Sequence, residues 1–447
     1  MPLTALEIYK HLPKKNCGEC GVPTCLAFAM QLAALKTQLE KCPYVSETAK
    51  ETLSAAAAPP IKLVRIGAGD NAIELGDETV MFRHDKKFNH PTGIGAIISD
   101  TMTLDAIDNN VEAANKLTFE RIGMTIKLDL LALRADTGDP TKFTELVNRV
   151  RSKSQLPLIL MSEKPEVIES ALKTCQDARP LLHGATDTNW EAMTELAKTY
   201  KCPLVVYAPD LETIGTLTEK IKTAGVTDLV LDFGRKPLSE ILKNLTIIRR
   251  LAIKKTYRPL GYPVIVFMED GLSPEEEALH GAIYILKYAS AIVFSDISPW
   301  KIYPLLTLRQ NIFTDPQKPV QVKPGIYEVG QPTRDSPLMF TTNFSLTYFT
   351  VQGDVEKSKI PTYIMVVDTE GLSVMTAFAA DKLTPELVAN NLATTKIEEK
   401  LSHKKIIIPG MVARMSGKLN DLSGWDVIVG PRDSSAIPKF MKDHWSR

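Results

Sequence analysis

No apolar run in this sequence approaches the ~18 residues that a membrane helix needs, so no membrane partner is expected. The opening MPLTALEIYKHLPKKNC lacks the long apolar stretch and small-residue cleavage site of a secretory signal, and the chain reads as cytoplasmic. Neither charge is in excess: 53 Lys and Arg stand against 53 Asp and Glu. A broad nucleic-acid footprint needs a surplus of Lys and Arg, so no nucleic-acid partner is expected. Walker loop, H-E-x-x-H, G-x-S-x-G and paired glycosidase carboxylates are all missing. Cysteine is scarce, six in 447 residues. A disulfide scaffold would be short and dense in cysteine throughout, which excludes that class. The remaining composition, 44% hydrophobic and 24% charged, is ordinary for a globular protein. At roughly 150 residues per domain the length suggests about three domains.

The cysteines that are present are unevenly spread. Cys17, Cys20, Cys25 and Cys42 lie in NCGECGVPTC and the following KCPY, a C-x2-C-x4-C-x16-C spacing. Clustered cysteines in a long chain point to metal, and four thiolates complete a 4Fe-4S cubane, one per iron. Gly18 and Gly21 let the backbone fold closely around such a group, and Pro23 stiffens the loop. Structural zinc is the rival, but cysteine-only zinc sites usually pair two short C-x2-C knuckles, and here there is one knuckle with two single cysteines. Free thiols are a third reading. Cys175 and Cys202 are isolated and read as buried, inert thiols.

Further along, residues 1–57 form the cluster domain. Residues 58–92 are a linker, SAAAAPP at 54–60 marking its start, followed by a β-hairpin of KLVRIG and ETVMFRHD. From 93 to 317 eight apolar runs recur, at 93–100, 127–136, 157–163, 180–186, 203–209, 228–234, 262–268 and 291–297. Amphipathic helical stretches separate them. Near-continuous apolar runs are what strands buried on both faces require. Strict alternation with helices implies parallel crossovers, and eight such units match a closed (β/α)8 TIM barrel. With no Gly-rich nucleotide fingerprint, an open doubly wound sheet is the less favoured alternative. Residues 318–330 read as a linker. Residues 331–447 read as a C-terminal α/β domain with an open parallel sheet, strand-like at 341–351, 363–368, 405–410 and 426–431. The barrel strand ends carry Asp100, Asp136, Glu163, Asp187, Asp210, Asp270 and Asp296. Several precede helices and read as N-caps rather than catalytic groups, which leaves the barrel as scaffold and docking surface with no catalytic residue assigned.

The segment MPLTALEIYKHLPKKNCGECGVPTCLAFAMQLA resembles the N-terminus of the large (gamma) subunit of the corrinoid iron-sulfur protein of the reductive acetyl-CoA pathway. VVDTEGLSVMTAFAADKL and IIIPGMVARMSGKLNDLSGWDVIVGPRDSSAIP resemble that family too, so the likeness spans the chain. It implies that Cys17, Cys20, Cys25 and Cys42 ligate the cluster and that the C-terminal domain holds a corrinoid. The contacts it implies are Thr341 and Thr347 on the first C-terminal strand, then Gly371, Leu372, Ser373 and Val374 in the turn after the second. Gly410, Gly430, Ser435 and Ala436 are further candidates. Read from the residues alone, these are strand-to-helix turns with capping hydroxyls. None of the seven histidines, His11, His84, His90, His183, His280, His403 and His444, sits in a D-x-H-x-x-G motif. No protein nitrogen is therefore evident as a lower cobalt ligand, which makes Co(I) easier to reach.

The resemblance also implies a function, a methyl carrier. Co(I) accepts a methyl group from methyltetrahydrofolate through a separate methyltransferase, and methyl-Co(III) donates it to acetyl-CoA synthase. The cluster returns inactive Co(II) to Co(I), fed by ferredoxin or a reductive activator. A small subunit completes a heterodimer, and the linkers let the cofactor domains swing. Three other readings stand beside it: a barrel methyltransferase with an electron-relay domain, an electron-transfer subunit without corrinoid, and a structural zinc-bearing subunit.

Overall fold

The computed structural model describes residues 5–33, 37, 39–46, 49, 53, 59–315, 317 and 319–445. Most of the linker expected at 54–60 lies outside the described residues. The chain divides into two compact units, Met1–Thr118 with Lys127–Phe313, and Phe119–Ile126 with Thr314–Arg447.

Near the N-terminus, helices Ala5–His11 and Cys25–Ala33 share a small core of their own, in which Ile8, Phe28, Ala29 and Val45 meet Cys25 and Cys42. A β-hairpin follows: β1 (Val64–Ile66) pairs antiparallel with β2 (Ile73–Leu75), Val64 opposite Leu75. The second strand is thus IEL and not ETVMFRHD. That later stretch is anchored by an ion pair instead. Glu78 is buried and its carboxylate meets buried Arg249 at 2.9 Å, while the guanidinium lies 4.5 Å from the ring centres of both Phe88 and Tyr288. Breaking a buried pair leaves a charge without a partner. Glu78→Leu is therefore expected to cost on the order of 3–5 kcal/mol, read as a lowered denaturant midpoint at unchanged slope.

The eight expected barrel strands are all present. They are β3 (Gly93–Ser99), then, after a hairpin of β4 (Thr118–Arg121) and β5 (Met124–Lys127), β6 (Leu130–Arg134), β7 (Leu158–Met161), β8 (Leu181–Ala185), β9 (Leu204–Tyr207), β10 (Leu229–Asp232), β11 (Ile265–Phe267) and β12 (Ala291–Phe294). All neighbours in the sheet are parallel. A bridge between Leu231 and Val264 closes the ring, with Leu231 N–H donating to Pro263 O at 2.9 Å. Inward residues such as Ile97, Ala132, Ile159, Val205, Val230 and Val293 fill the barrel. Val64, Ile66 and Leu75 of the first hairpin join that core, and Ile73 and Leu75 lie against Gly93 at the amino end of β3. Burying each of these side chains contributes roughly 1.5–3 kcal/mol, so the hairpin is an integral plug. The helices begin where capping chemistry allows: Thr103, Asp139 and Asp210 each accept from the first turn, and Ser273 with Glu276 forms a capping box.

The β4–β5 hairpin was not expected. Its turn residues Ile122 and Gly123 both have positive φ, 52° and 67°, the geometry of a two-residue I′ turn. Asn-Gly or Asp-Gly would have signalled it; Ile-Gly does not. The hairpin belongs to the second unit, where a Cβ on Gly123 would come within 2.7 Å of the Phe349 ring.

In the second unit the strands are β13 (Gly325–Val329), β14 (Leu338–Thr342), β15 (Thr362–Val367), β16 (Lys405–Ile408) and β17 (Asp426–Val429). Their order is β13-β15-β14-β16-β17. The sheet is open, as expected, but β13 is antiparallel. It occupies 325–329, inside the stretch read as a linker. The prolines at 319 and 324 suggested a loop, yet Pro324 precedes the strand and an edge tolerates it. A second difference concerns 341–351. β14 ends at Thr342, and Ser345–Ser358 is a helix. SLTYFTV is rich in β-formers, but Tyr348 and Val355 fall on one helical face and are buried, so packing overrides propensity. Both sheet faces are covered, one core around Phe340, Met365 and Trp425, the other around Tyr348, Ile364 and Met441.

Candidate functional site

Two places gather the residues singled out by sequence. The first is the cysteine loop. Asn16, Gly18 and Gly21 all have positive φ, 48°, 77° and 83°, so the chain winds tightly, and Gly21 N–H donates to Gly18 O at 2.9 Å. A Cβ at either glycine would meet nothing within 4 Å; conformation, not space, calls for glycine there. Such turns aim successive N–H groups into a concave cradle of the kind that binds anions and iron-sulfur clusters. Cys25 opens its helix, its N–H donating to Asn16 Oδ1 at 2.8 Å. Cys17 is exposed, Cys20 half-buried, and Cys25 and Cys42 are buried. Tyr44 donates its hydroxyl to Glu19 at 2.8 Å, a bond that raises the Tyr44 pKa above its ordinary value. Among the described residues no three His, Cys, Asp or Glu side chains gather around one ion-sized point. Cys175 and Cys202 are apart from this loop, and burial pushes their thiols up to about 11 and about 12.

The second place is a cavity of about 270 Å³ in the C-terminal unit. The chain runs from β14 to β15 on one side, then crosses to β16 on the other, so the strand order reverses between β14 and β16. Ligands of open α/β sheets sit outside the carboxyl ends of strands at such a point, and the cavity does so here. Thr341, Ile408, Pro409 and Gly430 line it from the strand ends, and Ser373 and Val374 from the turn after β15. Thr347 lines it too, from the helix rather than from a strand. The Thr341 hydroxyl is almost fully buried and has no hydrogen-bond partner among the described residues; Thr342 and Ser345 are likewise unpartnered but do not line the cavity. An orphaned buried hydroxyl is costly and marks a site that awaits polar atoms. Thr341→Val is expected to stabilise the unliganded chain by roughly 1 kcal/mol and to weaken any ligand that bonds this hydroxyl, two opposite signs that melting curves with and without ligand would read.

Five of the ten predicted contacts therefore line the cavity: Thr341, Thr347, Ser373, Val374 and Gly430. Leu372 packs into the core, and Gly371 lies under Gln321. Gly410 serves the crossing of two turns, since a Cβ there would stand 2.4 Å from Gly430 O. Ser435 and Ala436 are exposed, and the Ser435 hydroxyl bonds Asp433 at 3.1 Å. The sequence reading missed Met411 and Arg432, which follow β16 and β17, and Ile437 and Phe440 on the last helix. The strand-end rule could have found the first two. His403 and His444 do not line the cavity. His403 is in a loop, half-buried with Nε2 3.0 Å from Ser336 O, and His444 is exposed and stacked on Phe440.

At the barrel strand ends only Asp210 among the seven predicted carboxylates caps a helix. Asp100 binds Thr137, Asp136 binds Ser99 and Arg134, Asp270 pairs with Arg235, and Asp296 with fully buried Lys301. Loop bracing, and not capping, explains these four. Asp232 was not among them, yet it is buried and bonds His183 Nε2 at 2.8 Å and Gly234 N–H at 2.8 Å.

Residues 63–441 match the family described as CO dehydrogenase/acetyl-CoA synthase delta subunit, and residues 12–44, which hold the four clustered cysteines, match a putative Fe-S cluster family. Over 442 residues the chain is 48% identical to the corrinoid/iron-sulfur protein large subunit of Moorella thermoacetica, covering 99% of each. The chain belongs to the corrinoid/iron-sulfur protein large-subunit family. The gamma subunit of the acetyl-CoA decarbonylase/synthase complex of Methanothermobacter thermautotrophicus is 36% identical over 453 residues, 99% of each chain. Of solved structures, dihydropteroate synthase from Thermus thermophilus overlays with a TM-score of 0.39 at 18% identity, covering 57% of this chain and 100% of that one. Within the large-subunit family frame, the delta-subunit match spans the barrel and the C-terminal sheet, and the Fe-S match supplies the segment before them.

Proposed function

We propose that this chain is the corrinoid-bearing and cluster-bearing subunit of a methyl carrier in acetyl-CoA synthesis. The observation that carries the reading is the cavity at the strand-order reversal, with the unpartnered Thr341 hydroxyl in its wall, in a chain whose relative is a corrinoid/iron-sulfur protein. Cys17, Cys20, Cys25 and Cys42 hold the 4Fe-4S cluster, and Thr341, Thr347, Ser373, Val374 and Gly430 hold the corrinoid. At about 270 Å³ the cavity is below the ~300–1,000 Å³ of pockets for drug-sized ligands, so it encloses part of a corrinoid and not the whole macrocycle. Bound there, the corrinoid supplies a cobalt that exchanges methyl groups, and the cluster supplies single electrons. The protein excludes water with apolar walls of Ile408, Pro409 and Val374, and it orients the group through the Thr341 hydroxyl. Among the described residues no histidine lines the cavity as a lower ligand, which suits a carrier that must return to Co(I). A small partner subunit, a methyltetrahydrofolate methyltransferase, acetyl-CoA synthase and a ferredoxin-type donor complete the cycle in the cytoplasm. The domains of this reading are 1–57, 93–317 and 331–447, with the edge strand 325–329 added to the last.

The test is anaerobic metal analysis and a visible spectrum of the full chain produced with its small partner in a corrinoid-making host. About four irons and about one cobalt per chain, with corrinoid bands that change on reduction, are the expected result. Iron without cobalt removes the carrier reading, and zinc alone removes the cluster as well.

A further inference from the structure

Behind the cavity wall one side chain is bonded at every polar position. Asn343 directly follows β14 and is 1% exposed. Its Oδ1 accepts from the backbone N–H of Thr369 at 3.0 Å and of Gly371 at 2.9 Å, and the Thr369 hydroxyl lies 3.1 Å away. Its Nδ2 donates to Asp368 Oδ1 at 2.9 Å and Gln321 Oε1 at 3.3 Å. The backbone adds a bond from Asn343 N–H to Val367 O and one from Val322 N–H to Asn343 O, both 2.9 Å. An amide offers two donor hydrogens and an oxygen with two lone pairs, so nothing is left over for a ligand.

What Asn343 holds is the start of the turn at 368–373. That turn passes through two left-handed residues, Glu370 at φ 58° and Gly371 at φ 76°. Glutamate disfavours that conformation, and the N–H groups on either side of Glu370 are tied to the same oxygen. The far end of the turn, Ser373 and Val374, is one wall of the cavity. Thr341, two residues before Asn343 on the neighbouring strand β14, lines the same cavity. We infer that Asn343 is the positioning residue of the corrinoid site: it clamps the 368–373 turn to the end of β14 and so sets the spacing between the Ser373 wall and Thr341. It does not touch the cofactor. The inference rests on the reading of this cavity as the corrinoid site.

The experiment uses the full chain with its partner subunit and corrinoid, as wild type, Asn343→Asp, Asp368→Ala and the double variant. Asn343→Asp puts a carboxylate against Asp368 where a donor stood. Its cobalt-to-iron ratio is expected to fall about fivefold, and the corrinoid that remains to dissociate about tenfold faster with a shifted visible band. Iron per chain stays at the wild-type level. Asp368 is exposed, so Asp368→Ala keeps the fold and shows the same changes at about twofold to threefold. The double variant, freed of the like-charge contact, regains part of the lost cobalt. If the single variants lower only the yield, and the bound corrinoid keeps the wild-type spectrum and dissociation rate, Asn343 merely supports the fold and the inference is overturned. A wild-type chain that takes up no cobalt overturns the corrinoid reading instead.

Discussion

Thr347→Trp is expected to give a folded chain that keeps its iron and loses its cobalt. Thr347 lines the cavity from the helix Ser345–Ser358 and is half-buried, so an indole can enter the space without displacing a strand. Empty interior volume is unfavourable, at about 24 cal/mol per Å³ in one measured series. Filling part of about 270 Å³ therefore leaves the melting temperature unchanged or raises it by a few degrees. The cofactor has to compete with that side chain. Losing only ~1.4 kcal/mol of binding is a tenfold drop in affinity, and a blocked wall loses more. Cobalt per chain is thus expected to fall more than about tenfold while iron stays constant. A variant that retains wild-type cobalt would place the corrinoid elsewhere.

Cys25→Ala should do the converse. Cys25 is buried, opens its helix and packs with Phe28 and Cys42, so its loss removes one of the four proposed ligands from the middle of the loop. A cubane held by three thiolates is missing a protein ligand at one iron. Iron per chain should fall well below about four, with cobalt retained. Because the proposed task of the cluster is to restore Co(I), prereduced variant should carry methyl groups at first and then stop, and a chemical reductant able to reach cobalt should restart it. A variant whose turnover stops and cannot be restarted that way would mean that the cluster does more than supply electrons.

Much of the architecture was legible along the chain. Eight apolar runs separated by amphipathic helices became β3 and β6–β12, because a parallel strand buried on both faces needs an unbroken apolar run and a helix to return. The cysteine loop was legible for a different reason: its spacing and glycines are covalent and local. The misreadings share one feature. Residues 345–358 carry β-forming side chains yet form a helix, residues 325–329 follow prolines yet pair with β15, and residues 118–127 turn on Ile-Gly. Each was decided by what the segment packs against. The predicted cofactor contacts divide the same way: those at strand ends, Thr341 and Gly430, reach the cavity, while Ser435 and Ala436 do not.

By itself, then, the sequence determined the metal loop, the number and direction of the barrel strands, and the lack of a D-x-H-x-x-G motif. These follow from spacing and periodicity over a few residues. The tertiary structure alone decided that Glu78 meets Arg249 across 171 positions, that Asn343 clamps a turn more than 25 residues away, and that the last helix completes a cavity begun at β14. Contacts of that separation depend on chain closure and side-chain packing, which no local pattern encodes.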